Sequence, residues 1–167
     1  RIILMVLAFT SLPAHAKEER KPVVKEKGGA SMAAGKIIKD CADCPEMVVI
    51  PAGSFDMGSS KGEPNEMPVH RVTISRAFAI GKTEVTQGQW KALMGNNPSK
   101  FGNCGDNCPV EQVSWDDISE PGGFLDKASH LAAAGARFSL PTEAQWEYAC
   151  RAGTTTRYYC GDDPEGL

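Results

Sequence analysis

Between Phe138 and Gly153 the chain reads FSLPTEAQWEYACRAG, a run in which every structural boundary is marked. Phe138 and Leu140 flank Ser139 in the alternation of a half-buried strand. Pro141 ends that strand, because it has no N–H to donate and fixes its own φ. Thr142 is placed to cap a helix, and Gln145, three residues later, completes a capping box. Glu143 falls in the first turn, where the helix dipole favours a negative charge. Trp146, Ala149 and Cys150 recur at i, i+3 and i+4 and are expected to form one buried stripe. Arg151 lies in the last turn, and Gly153 is expected to supply the left-handed stop.

The 167 residues open on Arg1 rather than Met, so the natural start is expected to lie upstream. Ile2 to Phe9 is an unbroken apolar run, and Ala14-His15-Ala16 has the small-x-small form of a signal-peptidase site. Residues 1–16 are therefore expected to be a signal peptide and the mature protein to be periplasmic or secreted. A membrane span needs about 20 apolar residues, so no span is expected after cleavage. Residues 17–39 carry seven Lys or Arg against three acidic residues and few large apolar groups, which predicts a flexible basic linker. From residue 40 onward ten basic residues face eighteen acidic ones, a net of −8. Such a surface repels nucleic acid, and that class of partner is set aside.

Six cysteines fall as the close pairs Cys41/Cys44 and Cys104/Cys108, then Cys150 and Cys160. In an exported chain local disulfides are the first reading of the two pairs. Four thiolates on zinc are the competing one, which the spacings allow. A thioredoxin-like reading of Cys41-Ala42-Asp43-Cys44 has less support, since that motif wants a strand before it and a helix after it. Cys150, inside the amphipathic helix, is expected to be a buried thiol. Cys160 pairs with Cys150, pairs elsewhere or stays free.

Along the chain, residues 46–50 and 55–57 read as two strands of a hairpin around Pro51. Residues 69–76 alternate as a strand whose period Phe78 and Ile80 extend toward Gly81. Thr86 and Gln89 form another capping box before the stripe Trp90, Leu93 and Met94, and Gly95 closes that helix. Residues 110–115 read as extended, with Val113 and Trp115 on one face and Asp116 or Asp117 capping the next turn. A helix is expected from Phe124 to Ala134, capped by Gly135. Short strands, a few short helices and long stapled loops describe a loop-rich α+β domain over residues 40–167.

Chemistry is sparse. His70 and His130 belong to no HxxxH or HExxH pattern, and Ser114 sits in no GxSxG elbow. Glu143 and Glu147 lie one turn apart and could act as a general acid/base pair or cation ligands. The favoured reading has Glu143 answering the dipole and Glu147 pairing with a nearby Arg. No Gly-rich phosphate loop is present.

Five blocks occur in order: EMVVIPAGSFDMGS, GEPNEMPVHRV, KTEVTQGQW, CPVEQVSWDD and LPTEAQWEYACRAGT. Together they closely resemble the formylglycine-generating enzyme (sulfatase-modifying factor) family, from about Asp40 to Asp163. The resemblance implies a C-type-lectin-like fold with little regular secondary structure. It makes Trp90, Trp115, Leu140, Pro141, Thr142, Glu143, Trp146, Glu147, Arg151 and Gly153 scaffold positions. The founding enzymes oxidise a cysteine in a sulfatase, within Cys-x-Pro-x-Arg, to formylglycine with molecular oxygen and copper held by a cysteine pair. Other relatives serve as modules in oxidative enzymes or in pyoverdine maturation. Two positions depart from the family pattern: Ser139 stands where an Arg is usual, and Gln145 where a Glu is usual. The segments that carry the copper cysteines and the calcium ligands are expected beyond Leu167, so no catalytic or metal-binding residue transfers to this chain. The first expectation is an exported formylglycine-generating-enzyme-like protein with a sulfatase-type substrate; the second is a non-catalytic lectin-like binding or maturation module of the cell envelope.

Overall fold

Among the described residues, the apolar runs become seven short strands divided between two antiparallel sheets. In the computed structural model, residues 8–11, 33–39, 41–132, 136–159 and 161–163 are described. Most of the expected leader, residues 17–32 of the expected linker, the Gly135 cap and Cys160 lie outside them. The larger sheet contains β1 (Ala8–Ser11), β2 (Ile37–Ile38), β3 (Met47–Ile50), β6 (Phe78–Gly81) and β7 (Ala136–Ser139), in the order β2-β3-β6-β1-β7. The smaller pairs β4 (Gly53–Met57) with β5 (His70–Ile74).

This division corrects two expectations. Residues 46–50 and 55–57 do not form a hairpin: Met47 to Ile50 pair with Gly81 to Phe78, while Gly53 to Met57 pair with Ile74 to His70. Pro51 cannot donate to a ladder, so the chain leaves one sheet there and enters the other at Gly53. Likewise the alternation from Val69 to Gly81 is two strands in two sheets, broken at residues 75–77. The expected linker is also shorter than residues 17–39, since Ile37 and Ile38 pair with Val48 and Met47. Two β-branched residues between lysines suffice to extend a sheet edge.

Helices cover the larger sheet on one side. The first, α1 (Gln87–Met94), starts at Thr86, whose hydroxyl accepts from Gln89 N–H while Gln89 Oε1 accepts from Thr86 N–H, and it ends at left-handed Gly95. Its Trp90 is fully buried, stacks on Phe124 of α3 (Phe124–Leu131) at 5.1 Å between centroids, and donates Nε1–H to Asn96 Oδ1. Cys44, Met47, Ala79, Val85, Val110, Val113, Ile118, Ala128 and Phe138 complete this core. Gln87 is the one buried polar residue among those described; it is satisfied by donating to the Phe101 and Pro109 carbonyls and accepting from Asn97 Nδ2–H. Those bonds fix the loop between α1 and residue 110 in place of a packed apolar side chain.

The 110–115 stretch contains a helix that periodicity did not show. Ser114 is the N-cap of α2 (Trp115–Ser119), with Asp117 as the capping-box partner, so neither Asp is the cap. Trp115 consequently occupies the first helical turn and is 57% exposed instead of facing inward with Val113. Helix α3 also ends at Leu131, short of Ala134. At the sheet edge, Ser129 of α3 serves β7: its Oγ accepts from Phe138 N–H at 2.9 Å.

Candidate functional site

The corner that punctuates the sequence most clearly also joins the two sheets' layers. Helix α4 (Glu143–Arg151) begins at Thr142, whose hydroxyl accepts from Gln145 N–H, while Gln145 Oε1 accepts from Thr142 N–H at 2.9 Å. Gln145 thus closes the capping box, as a Glu would. The inward face, however, is not Trp146, Ala149 and Cys150. Trp146 is 39% exposed and Cys150 is an exposed free thiol. The face turned to β4 and β5 carries Ala144, Glu147, Tyr148 and Arg151, the next stripe around the helix.

Polar anchoring explains that rotation. Glu147 Oε1 accepts from the Gly58 N–H at 2.9 Å and from Arg151 Nε at 2.8 Å. Arg151 Nη2 in turn donates to the Gly58 carbonyl at 3.0 Å and Nη1 to the Thr156 carbonyl. Gly58 is held at φ +94°, and a Cβ there would collide with the Glu66 carbonyl, so only glycine can present both peptide groups to the pair. Tyr148 lies against Phe55 at 5.3 Å and its hydroxyl meets the bare Cα of Gly53, leaving no room for a side chain. Glu147 is therefore spent on structure and forms no acid/base pair with Glu143. At the C-terminus the left-handed turn begins one residue early, at Ala152 (φ 46°), with Gly153 following at φ 88°.

Both close cysteine pairs are disulfides: Cys41–Cys44 and Cys104–Cys108, with Cα atoms 5.0 and 5.9 Å apart. Those separations suit a disulfide and remove the four-thiolate zinc reading. Closing such short loops stabilises by only about 2 kcal/mol each on chain-entropy grounds. The two staples flank an open cleft of about 510 Å³ between Cys44, Lys82, Glu84, Gln89 and Asn107. On its wall Lys82, whose N–H donates to the Glu46 carbonyl, also pairs its Nζ with the Glu46 carboxylate at 3.2 Å, both side chains about half exposed. Its lining combines the charged Lys39, Lys82, Glu46 and Glu84 with the uncharged polar Thr86, Gln89 and Asn107.

His70 and His130 make only local contacts to backbone carbonyls and, for His130, to the Asp126 carboxylate. His70 Nδ1 lies 2.9 Å from the Pro68 carbonyl and His130 Nδ1 2.8 Å from that of Asp126, both exposed. Ser114 Oγ donates to Asp117 Oδ2 at 2.6 Å, which lowers the Asp117 pKa below the usual carboxylate range; the Ser114 N–H adds to that effect. Because the folded-state pKa is lowered, this stabilisation is complete above the unfolded value near 3.9 and is lost as pH falls through the folded one. Ser114→Ala should cost about 1 kcal/mol near neutral pH and bring the Asp117 titration, read by NMR, back up toward the ordinary value.

Among the described residues no group of three or more His, Cys, Asp or Glu side chains is arranged to hold a metal ion. With four cysteines oxidised to disulfides, these residues do not fit copper, and they supply no calcium cage. No helix among them is long and apolar enough to cross a membrane.

A family model for the sulfatase-modifying factor enzyme 1-like domain matches residues 33–166. A formylglycine-generating enzyme from Mycobacterium tuberculosis is 32% identical over 174 residues, covering 73% of this chain and 57% of the relative. A chaperone protein LppX from Paenibacillus barcinonensis is 30% identical, covering 68% of this chain and 48% of the relative. The solved structure of PvdO from Pseudomonas aeruginosa superposes with a TM-score of 0.67 at 31% identity, over 77% of this chain and 55% of that one. The chain spans about half the length of the curated relatives it matches.

Proposed function

Because the chain belongs to the family of sulfatase-modifying factor enzyme 1-like domains, we propose that it is the fold-bearing part of an exported formylglycine-generating-enzyme-like protein that acts on a cysteine-containing polypeptide. The observation that carries this reading is the match over residues 33–166, which takes in both disulfides, the cleft and the Glu147–Arg151 joint. Export is supported by the leader-like run Ile2–Phe9 with its Ala-His-Ala site and by two disulfides, which persist in oxidising compartments. The role we assign to this part is to bind and orient the polypeptide, with the cleft as its docking surface. Copper, on this reading, belongs to residues other than those described, and we route no step through it.

Peptide-dependent oxygen uptake by the complete protein, exported and supplied with copper, tests the activity, using a peptide that contains Cys-x-Pro-x-Arg. Uptake that disappears when the peptide cysteine is replaced by serine supports the enzyme. A second reading, a non-catalytic maturation module, is favoured by the exposed Cys150 being the one free thiol among the described residues. It predicts peptide binding with no oxygen uptake. The mass of the mature protein tests export separately: it should begin at Lys17, and an intact residue 16–17 bond would sink the leader.

A further inference from the structure

The loop that follows α1 is pinned at both ends and stapled across its tip, and the tip borders the cleft. Phe101 and Pro109 mark the ends, where their carbonyls accept from the buried side-chain amide of Gln87. Beyond Pro109, Val110 is buried and donates its N–H to the Val85 carbonyl at 2.9 Å. Between those ends residues 102–107 are exposed throughout, so no apolar side chain anchors the tip. Its contacts to α1 are two main-chain hydrogen bonds. The Gln87 N–H donates to the Cys108 carbonyl at 2.8 Å, and the Gly88 N–H to the Asp106 carbonyl at 2.9 Å.

Both partners depend on these contacts. The first amides of a helix have no acceptor inside it, and here the loop supplies the acceptors for α1. The approach is close: a Cβ on Gly88 would lie 2.9 Å from the Asp106 Cβ and 3.1 Å from its carbonyl oxygen. Asn107, inside the ring that the disulfide closes, lines the cleft together with Thr86 and Gln89 of the α1 capping box. Exposed hydrogen bonds contribute little alone, because water offers the same partners. The staple therefore decides whether the tip stays against α1.

The two disulfides differ in access. Cys44 is 1% exposed and belongs to the core, whereas Cys104 is exposed and Cys108 partly so. We propose that Cys104–Cys108 is a redox latch on the cleft. Closed, it holds the 104–108 tip on the start of α1 and sets the Asn107 wall; open, it releases both. Opening takes a dithiol reductant, whose thiolate attacks Cys104 Sγ; the S–S bond breaks and Cys108 leaves as a thiolate that takes up a proton. The reductant's second thiol then attacks its own bridged sulfur, frees Cys104 as a thiol and leaves the reductant as a disulfide, so two electrons enter the protein. Closing is the reverse exchange with an oxidised dithiol. The latch deepens the docking reading and rests on it for its consequence. An exported chain meets the closing oxidant outside the cytoplasm, so its docking surface is completed on arrival.

The test titrates the complete protein with dithiothreitol, while alkylation and mass spectrometry identify the point at which Cys104 and Cys108 are free and Cys41–Cys44 is intact. Hydrogen exchange is read at Gln87 and Gly88, with the Trp90 and Val110 amides as controls. The expected result is exchange about tenfold or more faster at Gln87 and Gly88 on opening, reversed by oxidised glutathione, with both controls unchanged. Cys104→Ser with Cys108→Ser should give the same exchange without reductant, and it decides the outcome should both disulfides open together. Gly88→Ala should give it with the bond closed, because the added Cβ pushes the tip away. A peptide containing Cys-x-Pro-x-Arg should bind the open form about tenfold or more weakly than the closed one. Exchange at Gln87 and Gly88 that ignores the bond overturns the proposal, because the tip then stays without its staple. Protection lost at Trp90 and Val110 as well also overturns it, because the bond then supports the whole domain. So does a peptide that binds both forms equally, because the wall then plays no part in docking. A peptide that binds neither form removes the docking reading, and the exchange result alone then decides the latch.

Discussion

Trp90→Ala should be the most damaging single substitution in the helical layer, costing about 3–5 kcal/mol, as truncation of a buried Trp usually does. Trp90 is 2% exposed, lies parallel to the Phe124 ring at an interplanar angle of 3°, and holds Asn96 through its indole N–H. Truncation removes the stack, opens a cavity against α3 and leaves Asn96 Oδ1 without that donor. The residues that replace it cannot collapse into the gap, because Gln87 anchors the neighbouring loop by three hydrogen bonds. Trp90→Phe separates the contributions: it keeps an aromatic ring over Phe124 and loses only the hydrogen bond and some volume. Its cost should be about 1–2 kcal/mol. Chemical denaturation midpoints for the two variants measure the difference, and equal losses would contradict the stacked geometry.

Arg151→Met should have the next largest effect, about 2–3 kcal/mol. The guanidinium and the Glu147 carboxylate are each about one-fifth exposed, so water screens them incompletely. Removing the arginine leaves a half-buried carboxylate that keeps the Gly58 N–H as a donor, and it frees the Gly58 and Thr156 carbonyls. Breaking one member of such a pair costs more than removing both. The double variant Glu147→Leu with Arg151→Met should therefore lose less than the sum of its single changes, by about 1–2 kcal/mol. Strict additivity in that cycle would show that the joint between α4 and Gly58 carries no coupling. Arg151→Lys should rescue little, since a point charge cannot serve Glu147, Gly58 and Thr156 together.

Much of the architecture was legible where chemistry is local. Thr86 and Thr142 announce their helices because an N-cap and its partner three residues later satisfy backbone donors with no help from the rest of the fold. The close cysteine pairs were legible for the same reason, and the five ordered blocks marked the family. What stayed hidden depends on contacts far apart in sequence. Whether residues 46–50 pair with 55–57 or with 78–81 is decided by sheet assembly, and Pro51 is compatible with both. The face of α4 was misread because periodicity favoured Trp146 and Cys150, whereas the helix is oriented by Glu147 and Arg151 reaching Gly58, 89 and 93 residues away. Helix α2 was missed because its five residues are too short for a period; the Ser114 and Asp117 pair was its only signal, and it has the spacing of a capping box.

The departures from the family pattern read differently once placed. Gln145 closes the cap as Glu would, so it says nothing against the founding activity. Ser139 stands in β7, opposite Ala8 of β1, where the usual Arg would bring a long charged side chain to the sheet's edge strand.

On the proposed reading, the complete protein converts a peptide cysteine to an aldehyde. Mass spectrometry of a Cys-x-Pro-x-Arg peptide, after incubation with the complete protein, copper and oxygen and capture by an aminooxy reagent, reads that product directly. The expected result is a captured aldehyde at the cysteine position and none on the serine peptide. A peptide that binds yet keeps its thiol would contradict it and leave this fold as a docking module.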